Sequence, residues 1–227
     1  MKCPKCGSKR VIRNGKKAYK VQNYLCKDCG KQFISDADRT YKGTVSGIRD
    51  SIKRALVRGS GIRDAAFIFA VSIGFVLRVL VESCYGLKPK KKHYERLEVD
   101  EFWTFVGTKS RRFWLIYAYD RESGEMVAWV WGNRSAKTAQ RLRERLVELG
   151  VTYGRLAMDD WDSFAKAFSE DPRDTGKEHT VGIEGNNCRL RHRMRRVFRK
   201  TCNFSKKILN HVKAFRMTAY YINTGYV

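Results

Sequence analysis

The sequence predicts an α+β chain made of several modules, and three observations carry that prediction. Cysteines pair near the N-terminus, the hydrophobic period switches from helical to strand-like near residue 97, and charge is sorted into blocks. The chain has 227 residues, 43% of them hydrophobic and 12% aromatic, so it can bury a sizeable core and is not of disordered composition. Its 47 basic residues outnumber 23 acidic ones, for a net charge of +24. Such an excess calls for a polyanionic partner. A membrane is not expected as that partner: the apolar stretch 65–81 is broken by Ser72, Gly74 and Arg78, short of the ~18–20 residues that span a bilayer. The opening Met1-Lys2-Cys3-Pro4 holds no apolar leader core, and a soluble chain is expected.

The charge is unevenly placed. Residues 1–44 carry a net +9, 45–97 carry +7, 98–184 carry −3, and 185–227 carry +11 with no acid at all. Basic arms suit phosphate contacts. Sixteen acids gathered in the middle block need another reason, and metal ligation supplies one, with a merely solvated acidic face as the plain alternative.

Residues 1–44 form the first module. Cys3-Pro-Lys-Cys6 and Cys26-Lys-Asp-Cys29 stand 19 residues apart, and each pair is followed by a glycine, Gly7 or Gly30. Two such knuckles place four thiolates around one zinc ion. Lys2, Lys5, Lys9, Lys27 and Lys31 favour the thiolate form. Redox disulfides are the competing reading, but no βαβ pattern surrounds either pair. The prediction is a zinc ribbon, a DNA-binding module with Cys3, Cys6, Cys26 and Cys29 as ligands and much of its folding energy supplied by the metal. Short strands over 10–13 and 19–25 flank an Asn14-Gly15 turn. Cys84, Cys188 and Cys202 are isolated and read as free thiols.

Residues 45–87 read as three helices. Ser46 caps the first, with Ile48, Ile52, Ala55 and Leu56 inward; Gly59-Ser60-Gly61 breaks it, and Ser60 caps a short helix over 62–70. Ser72 caps a third, whose Ile73, Val76, Leu77, Leu80 and Val81 make one apolar stripe. Short helix, tight turn, helix is the pattern of a helix-turn-helix, with Arg78 pointing outward toward DNA from the recognition helix. A helical linker or dimerisation element is the alternative. Residues 88–96, with Lys88-Pro-Lys-Lys-Lys-His93, read as a basic linker.

From residue 97 to 227 the period is that of an α/β domain. Strands are expected over 97–106, 113–119 and 126–131, then a helix capped by Ser135 and stopped by Gly150, then a strand over 153–158 ending at Asp159-Asp160. A basic helix follows over 184–200, bearing Arg189, Arg191, Arg193, Arg195, Arg196, Arg199 and Lys200. Three strands, helix, strand and helical end is the order of a ribonuclease-H-like core. There the first strand neighbours the strand after the helix, which brings Asp100 toward Asp159, with Glu184 packed alongside. Three such carboxylates hold two divalent ions about 4 Å apart, one activating the attacking oxygen and the other steadying the leaving one. Oxygen ligands suit Mg2+ or Mn2+. Asn187 and Arg191 follow Glu184 on one helical face and, with Arg195 further along, are expected to contact DNA, Arg191 gripping a phosphate. Plainer readings exist for each acid. Asp100 is a polar strand position, though an unpaired carboxylate among Val99, Phe102, Trp103 and Phe105 is costly. Asp159 or Asp160 caps a helix, and Glu184 complements a helix dipole.

The motifs Val99-Asp100-Glu101-Phe102-Trp103, Met158-Asp159-Asp160-Trp161 and Ile183-Glu184-Gly-Asn-Asn187, with Leu190-Arg191 running into Arg199-Lys200-Thr201 and Phe204-Ser205, carry a family resemblance. Over nearly its whole length the chain resembles a fused, full-length transposase of the insertion sequence 1 family, within the DDE superfamily. The resemblance implies a catalytic triad of Asp100, Asp159 and Glu184 with Arg191 as the trailing basic residue. One departure is Asp160, where family members often have glycine before Trp161, and the interval from Asp159 to Glu184 leaves little room for an inserted domain. What the resemblance implies is cleavage at terminal inverted repeats. The freed 3′-hydroxyl is then joined to target DNA by a homo-oligomer on double-stranded DNA. A cytoplasmic, nucleoid-associated location in a prokaryote goes with it. Two other readings are a DNA-binding regulator with an inactive third part, and a structure-specific nuclease of the same fold.

Overall fold

A computed structural model describes residues 1–17, 20–35, 42–197 and 203–227. The N-terminal ribbon is an antiparallel sheet of β1 (Val11–Lys16), β2 (Gln22–Cys26) and β3 (Gln32–Ile34), in that order. Its core is small: Cys3, Cys26 and Phe33, with Tyr24 stacked on Phe33 at 5.9 Å. Asn14-Gly15 does not close the hairpin as expected. Both residues lie inside β1, where the register shifts between Arg13 and Lys16, and Gly15 adopts φ +68. That is bulge behaviour, and glycine takes that conformation without strain. Tyr19, expected in the second strand, lies outside the described residues.

Three helices follow: α1 (Ile48–Val57), α2 (Ile62–Ile68) and α3 (Ile73–Glu82). Ser72 caps α3 as expected, its hydroxyl accepting from Phe75 N–H at 3.1 Å. The other two caps fall one residue later than expected. Gly47 precedes α1 in the left-handed conformation, and at α2 the backbone N–H of Gly61 donates to the Asp64 carboxylate at 3.0 Å. Helices α2 and α3 meet at 115°, within the range of a helix-turn-helix. Phe75, Val76, Val79 and Leu80 are buried while Arg78 is exposed. Among the described residues no single helix is long and apolar enough to cross a membrane.

The third part is a five-stranded sheet. β4 (His93–Phe105), β5 (Arg112–Asp120) and β6 (Glu125–Gly132) form the meander, and β7 (Thr152–Met158) and β8 (Arg173–Thr175) extend it in the order β6-β5-β4-β7-β8. β5 runs antiparallel to its neighbours; β4 pairs parallel with β7, and β7 with β8. This is the mixed sheet of a ribonuclease-H-like domain, with the first strand beside the strand after the helix. β4 starts at His93, inside the stretch read as linker, because Tyr94 is buried and its hydroxyl donates to Glu125 at 3.0 Å.

Each face of the sheet has its own core. α4 (Ala136–Glu148) and α5 (Asp162–Ala167) cover one face, packing Leu142, Leu146 and Phe164 on Leu97, Val99 and Ile116. The other face carries α6 (Val181–Arg193) and α7 (Ile208–Thr224), and its cluster runs from Phe102 and Tyr117 through Leu190 and Phe215 into Ile52, Val76 and Leu80 of the three-helix segment. α6 starts three residues earlier than the basic helix expected at Glu184 and ends at Arg193, followed by a 3-10 turn over Arg195–Val197. Residues 198–202, which include Arg199, Lys200, Thr201 and Cys202, lie outside the described residues.

Candidate metal centre and nucleic-acid interface

In the ribbon the four cysteine sulfurs all lie within 4.8 Å of one another, with Cys3–Cys29 and Cys6–Cys26 at 3.6 Å. Tetrahedral zinc with Zn–S bonds of about 2.3 Å requires sulfurs about 3.8 Å apart, so these residues fit one ion. The Cys3 thiol is desolvated by its neighbours, yet the Cys6 and Lys5 backbone N–H groups and the adjacent sulfurs bring it down to about 6. Backbone N–H groups likewise bring the Cys26 thiol down, and four clustered sulfurs, two of them favoured as thiolates, fit zinc by their chemistry.

The second site is built by the β4–β7 pairing. Val99 sits opposite Met158, the last residue of β7, so the residues that follow them, Asp100 and Asp159, come side by side. Ligand atoms of Asp100, Glu101 and Asp159 lie within 4.8 Å of one another. Burial, followed by the Glu101 charge, pushes the Asp100 carboxyl up to about 7. Burial likewise raises Asp159 and Glu101. Glu101 Oε2 and Asp159 Oδ1 are buried without a hydrogen-bond partner. Crowded carboxylates with orphaned oxygens are poorly stabilised by the protein alone, and a hard divalent cation is the group that fits them.

Helix α6 is what orients Asp100. Asn187 donates its side-chain N–H to Asp100 Oδ2 at 2.7 Å, and the Glu101 backbone N–H donates to Oδ1 at 2.7 Å. Asn187 is itself fixed by the fully buried Tyr117, whose hydroxyl donates to its Oδ1 at 2.9 Å. At the helix start, Ile183 N–H donates to Glu98 on β4 at 2.6 Å. Gly182 permits this approach, since a Cβ there would stand 2.7 Å from Glu98 Oε1. Arg191, one turn past Asn187, lays its guanidinium 4.8 Å from the centre of the Phe102 ring.

Asp100 and Asp159 are therefore brought together. Glu184 stands exposed in the first turn of α6 and is not in the group within 4.8 Å. Asp160 is exposed and outside the group as well, and it caps nothing: α5 has Trp161 at its N-cap, with no side-chain cap bond. Arg195 is exposed beyond α6, on a groove of about 530 Å³ shared with Arg63, Arg196, Asn203 and Lys206. Glu101 stands in a quoted motif but has no site role in the sequence reading, and strand alternation assigns it to the face opposite Asp100. Its only signal is adjacency to that residue. Arg134, which pairs with Glu101 at 2.6 Å from the β6–α4 connection, leaves no sequence signal.

Two family profiles match the chain: that of the InsA N-terminal domain, a zinc ribbon, over residues 1–30, and that of IS1 transposase over residues 96–225. The chain is 40% identical over 116 residues to the insertion element iso-IS1n protein InsB of Shigella dysenteriae, an overlap covering 51% of this chain and 87% of that protein. It is 36% identical over 126 residues to the insertion element IS1 protein InsB of Shigella flexneri, covering 56% and 92%. With a zinc ribbon, a helical segment and a ribonuclease-H-like domain in one polypeptide, and a profile match across most of that last domain, the chain belongs to the IS1 transposase family.

Proposed function

We propose that this chain cleaves at the terminal inverted repeats of an insertion sequence and joins the freed 3′-hydroxyl ends to target DNA, with Asp100, Asp159 and Glu184 as the catalytic acids. The observation that carries this reading is the convergence of Asp100, inside β4, and Asp159, just past the end of the paired strand β7, in one cluster of carboxylates. Mg2+ or Mn2+, two ions in this reading, supplies activation of the attacking oxygen and charge neutralisation at the leaving one when bound. Asn187 holds one oxygen of Asp100 and the Glu101 backbone N–H the other, which fixes the carboxylate's orientation, and Tyr117 holds Asn187. Glu184 lies one turn before Asn187 on the same helix, so the start of α6 borders the acid pair. Arg191 and Arg195 extend along the DNA backbone from there, and Arg78 contacts DNA from α3. The ribbon adds a zinc-held DNA-binding surface. Two ends must be held at once, so the active form is a homo-oligomer on double-stranded DNA.

The test is strand transfer with Mg2+ and a pre-cleaved terminal-repeat oligonucleotide, comparing wild type, Asp159→Ala and Asp160→Ala. Joined product is expected from wild type and Asp160→Ala and is absent from Asp159→Ala. DNA binding without joining by wild type would turn the reading to a regulator, and cleavage without joining to a nuclease.

A further inference from the structure

We propose that Glu101 is a further ligand of the divalent-cation site and that Arg134 is the counter-ion holding it until the cation enters. This rests on the reading of Asp100 and Asp159 as metal ligands.

The argument begins with how the ion pair is made. A guanidinium and a carboxylate pair best fork to fork, one nitrogen to each oxygen. Here Arg134 places both Nε, at 2.8 Å, and Nη2, at 2.6 Å, on the same oxygen, Glu101 Oε1. The second oxygen, Oε2, is left buried and without a partner, although the Glu101 side chain is only 8% exposed. A purely structural pair would satisfy both oxygens, because an orphaned buried acceptor costs about 1–3 kcal/mol. Asp159 Oδ1 is orphaned too, and the three acids lie within 4.8 Å of one another. The free oxygens and one guanidinium leave three carboxylates undercompensated, which a hard, oxygen-binding divalent cation corrects.

Arg134 is held so that it can let go. Its guanidinium lies 4.6 Å from the Trp161 ring and 5.5 Å from the Trp114 ring, and its side chain is 43% exposed. The two indoles keep the cation at the site without neutralising it, so a metal ion can replace it on Glu101 while Arg134 stays at the rim.

The experiment is Mn2+ binding to the full-length protein without DNA, read from the electron paramagnetic resonance signal of free Mn2+, for wild type, Glu101→Gln, Arg134→Ala, Asp100→Asn and Asp159→Asn. Glu101→Gln is expected to weaken Mn2+ binding on the order of tenfold or more, as loss of a ligand should. Arg134→Ala, which removes a competing cation, should tighten it several-fold. Wild-type affinity in Glu101→Gln beside lost binding in Asp100→Asn and Asp159→Asn would overturn this inference and leave the site standing. Mn2+ binding absent from wild type would overturn both. Should Glu101→Gln fail to fold, Arg134→Ala decides alone: tighter binding supports the role, and equal or weaker binding refutes it.

Discussion

The two candidate metal sites of this chain differ in what a metal would do there. In the ribbon, four cysteines surround a core of little more than Cys3, Cys26 and Phe33, so the ion stands in for the missing hydrophobic mass. At the acid site the order is reversed. The five-stranded sheet is covered on both faces by its own clusters, and the β4–β7 pairing brings Asp100 and Asp159 together. One site spends metal binding on folding, whereas the other spends folding on metal binding. Each can therefore be broken without the other.

The largest expected effect follows from the ribbon. Removing zinc with a chelator, or Cys26→Ser, should unfold residues 1–35 outright, because structural zinc supplies about 10–16 kcal/mol of apparent binding energy in such modules. All five tryptophans, Trp103, Trp114, Trp129, Trp131 and Trp161, lie in the third part. Their fluorescence should stay native while the backbone amide signals of the ribbon collapse in an NMR spectrum. A tryptophan shift on chelation would show that the ribbon and the sheet fold as one unit, and the contrast would fail.

A smaller effect separates the acid site. The folded chain holds the Asp100 carboxyl up at about 7, by burial first and then the Glu101 and Asp159 charges, against about 3.9 in an unfolded chain. Between those values the folded state binds more protons than the unfolded one. The contribution of this group to stability is thus greatest below about pH 4 and is lost as pH rises toward 7. Glu101, Asp159 and Glu98 are shifted in the same direction and add to the slope. Urea unfolding of the Mg2+-free protein, followed by tryptophan fluorescence, should show a lower midpoint at about pH 7.5 than at about pH 5. Asp100→Asn should flatten that difference, and saturating Mg2+ should reduce it. An undiminished slope in Asp100→Asn would place the cost elsewhere.

The same contrast explains what can be read from the residues. The cysteine knuckles are local, and two pairs at ribbon spacing specify a tetrahedral site without any knowledge of the fold. Asp100 and Asp159 are separated by 58 intervening residues and meet only through sheet topology, yet the order of strands and helix is enough to make them neighbours. Glu101 is hidden for a physical reason: alternation assigns it to the other face, and that rule weakens where a strand's neighbour ends and a loop residue such as Asp159 can reach both faces. β3 and β8, three residues each, are too short to show a period. The caps at Gly47 and Gly61 are missed because a backbone conformation and the Asp64 side chain take over what Ser46 and Ser60 offer.

The smallest effect tests how the sheet transmits its rigidity to the site. Tyr117 is wholly buried, and its hydroxyl lies 2.9 Å from Asn187 Oδ1, 3.3 Å from Ile183 O and 3.3 Å from Asn186 Nδ2. It thereby joins β5 to two turns of α6. Tyr117→Phe keeps the ring and its packing and removes only the hydroxyl, so the stability loss should be about 1 kcal/mol, the net worth of a buried hydrogen bond plus part of an unmet partner. Asn187 would keep its 2.7 Å bond to Asp100 but lose the group that fixes its orientation. If α6 positions the acid pair through this hydroxyl, strand transfer should fall about tenfold, as for other outer-shell partners of metal ligands, with the loss in turnover rather than in DNA affinity. Equal activity at the lower stability would mean that Asn187 is oriented by Asp100 alone, with α6 held to the sheet by that bond, by the Ile183 N–H bond to Glu98 and by the apolar packing of Ile183 and Leu190.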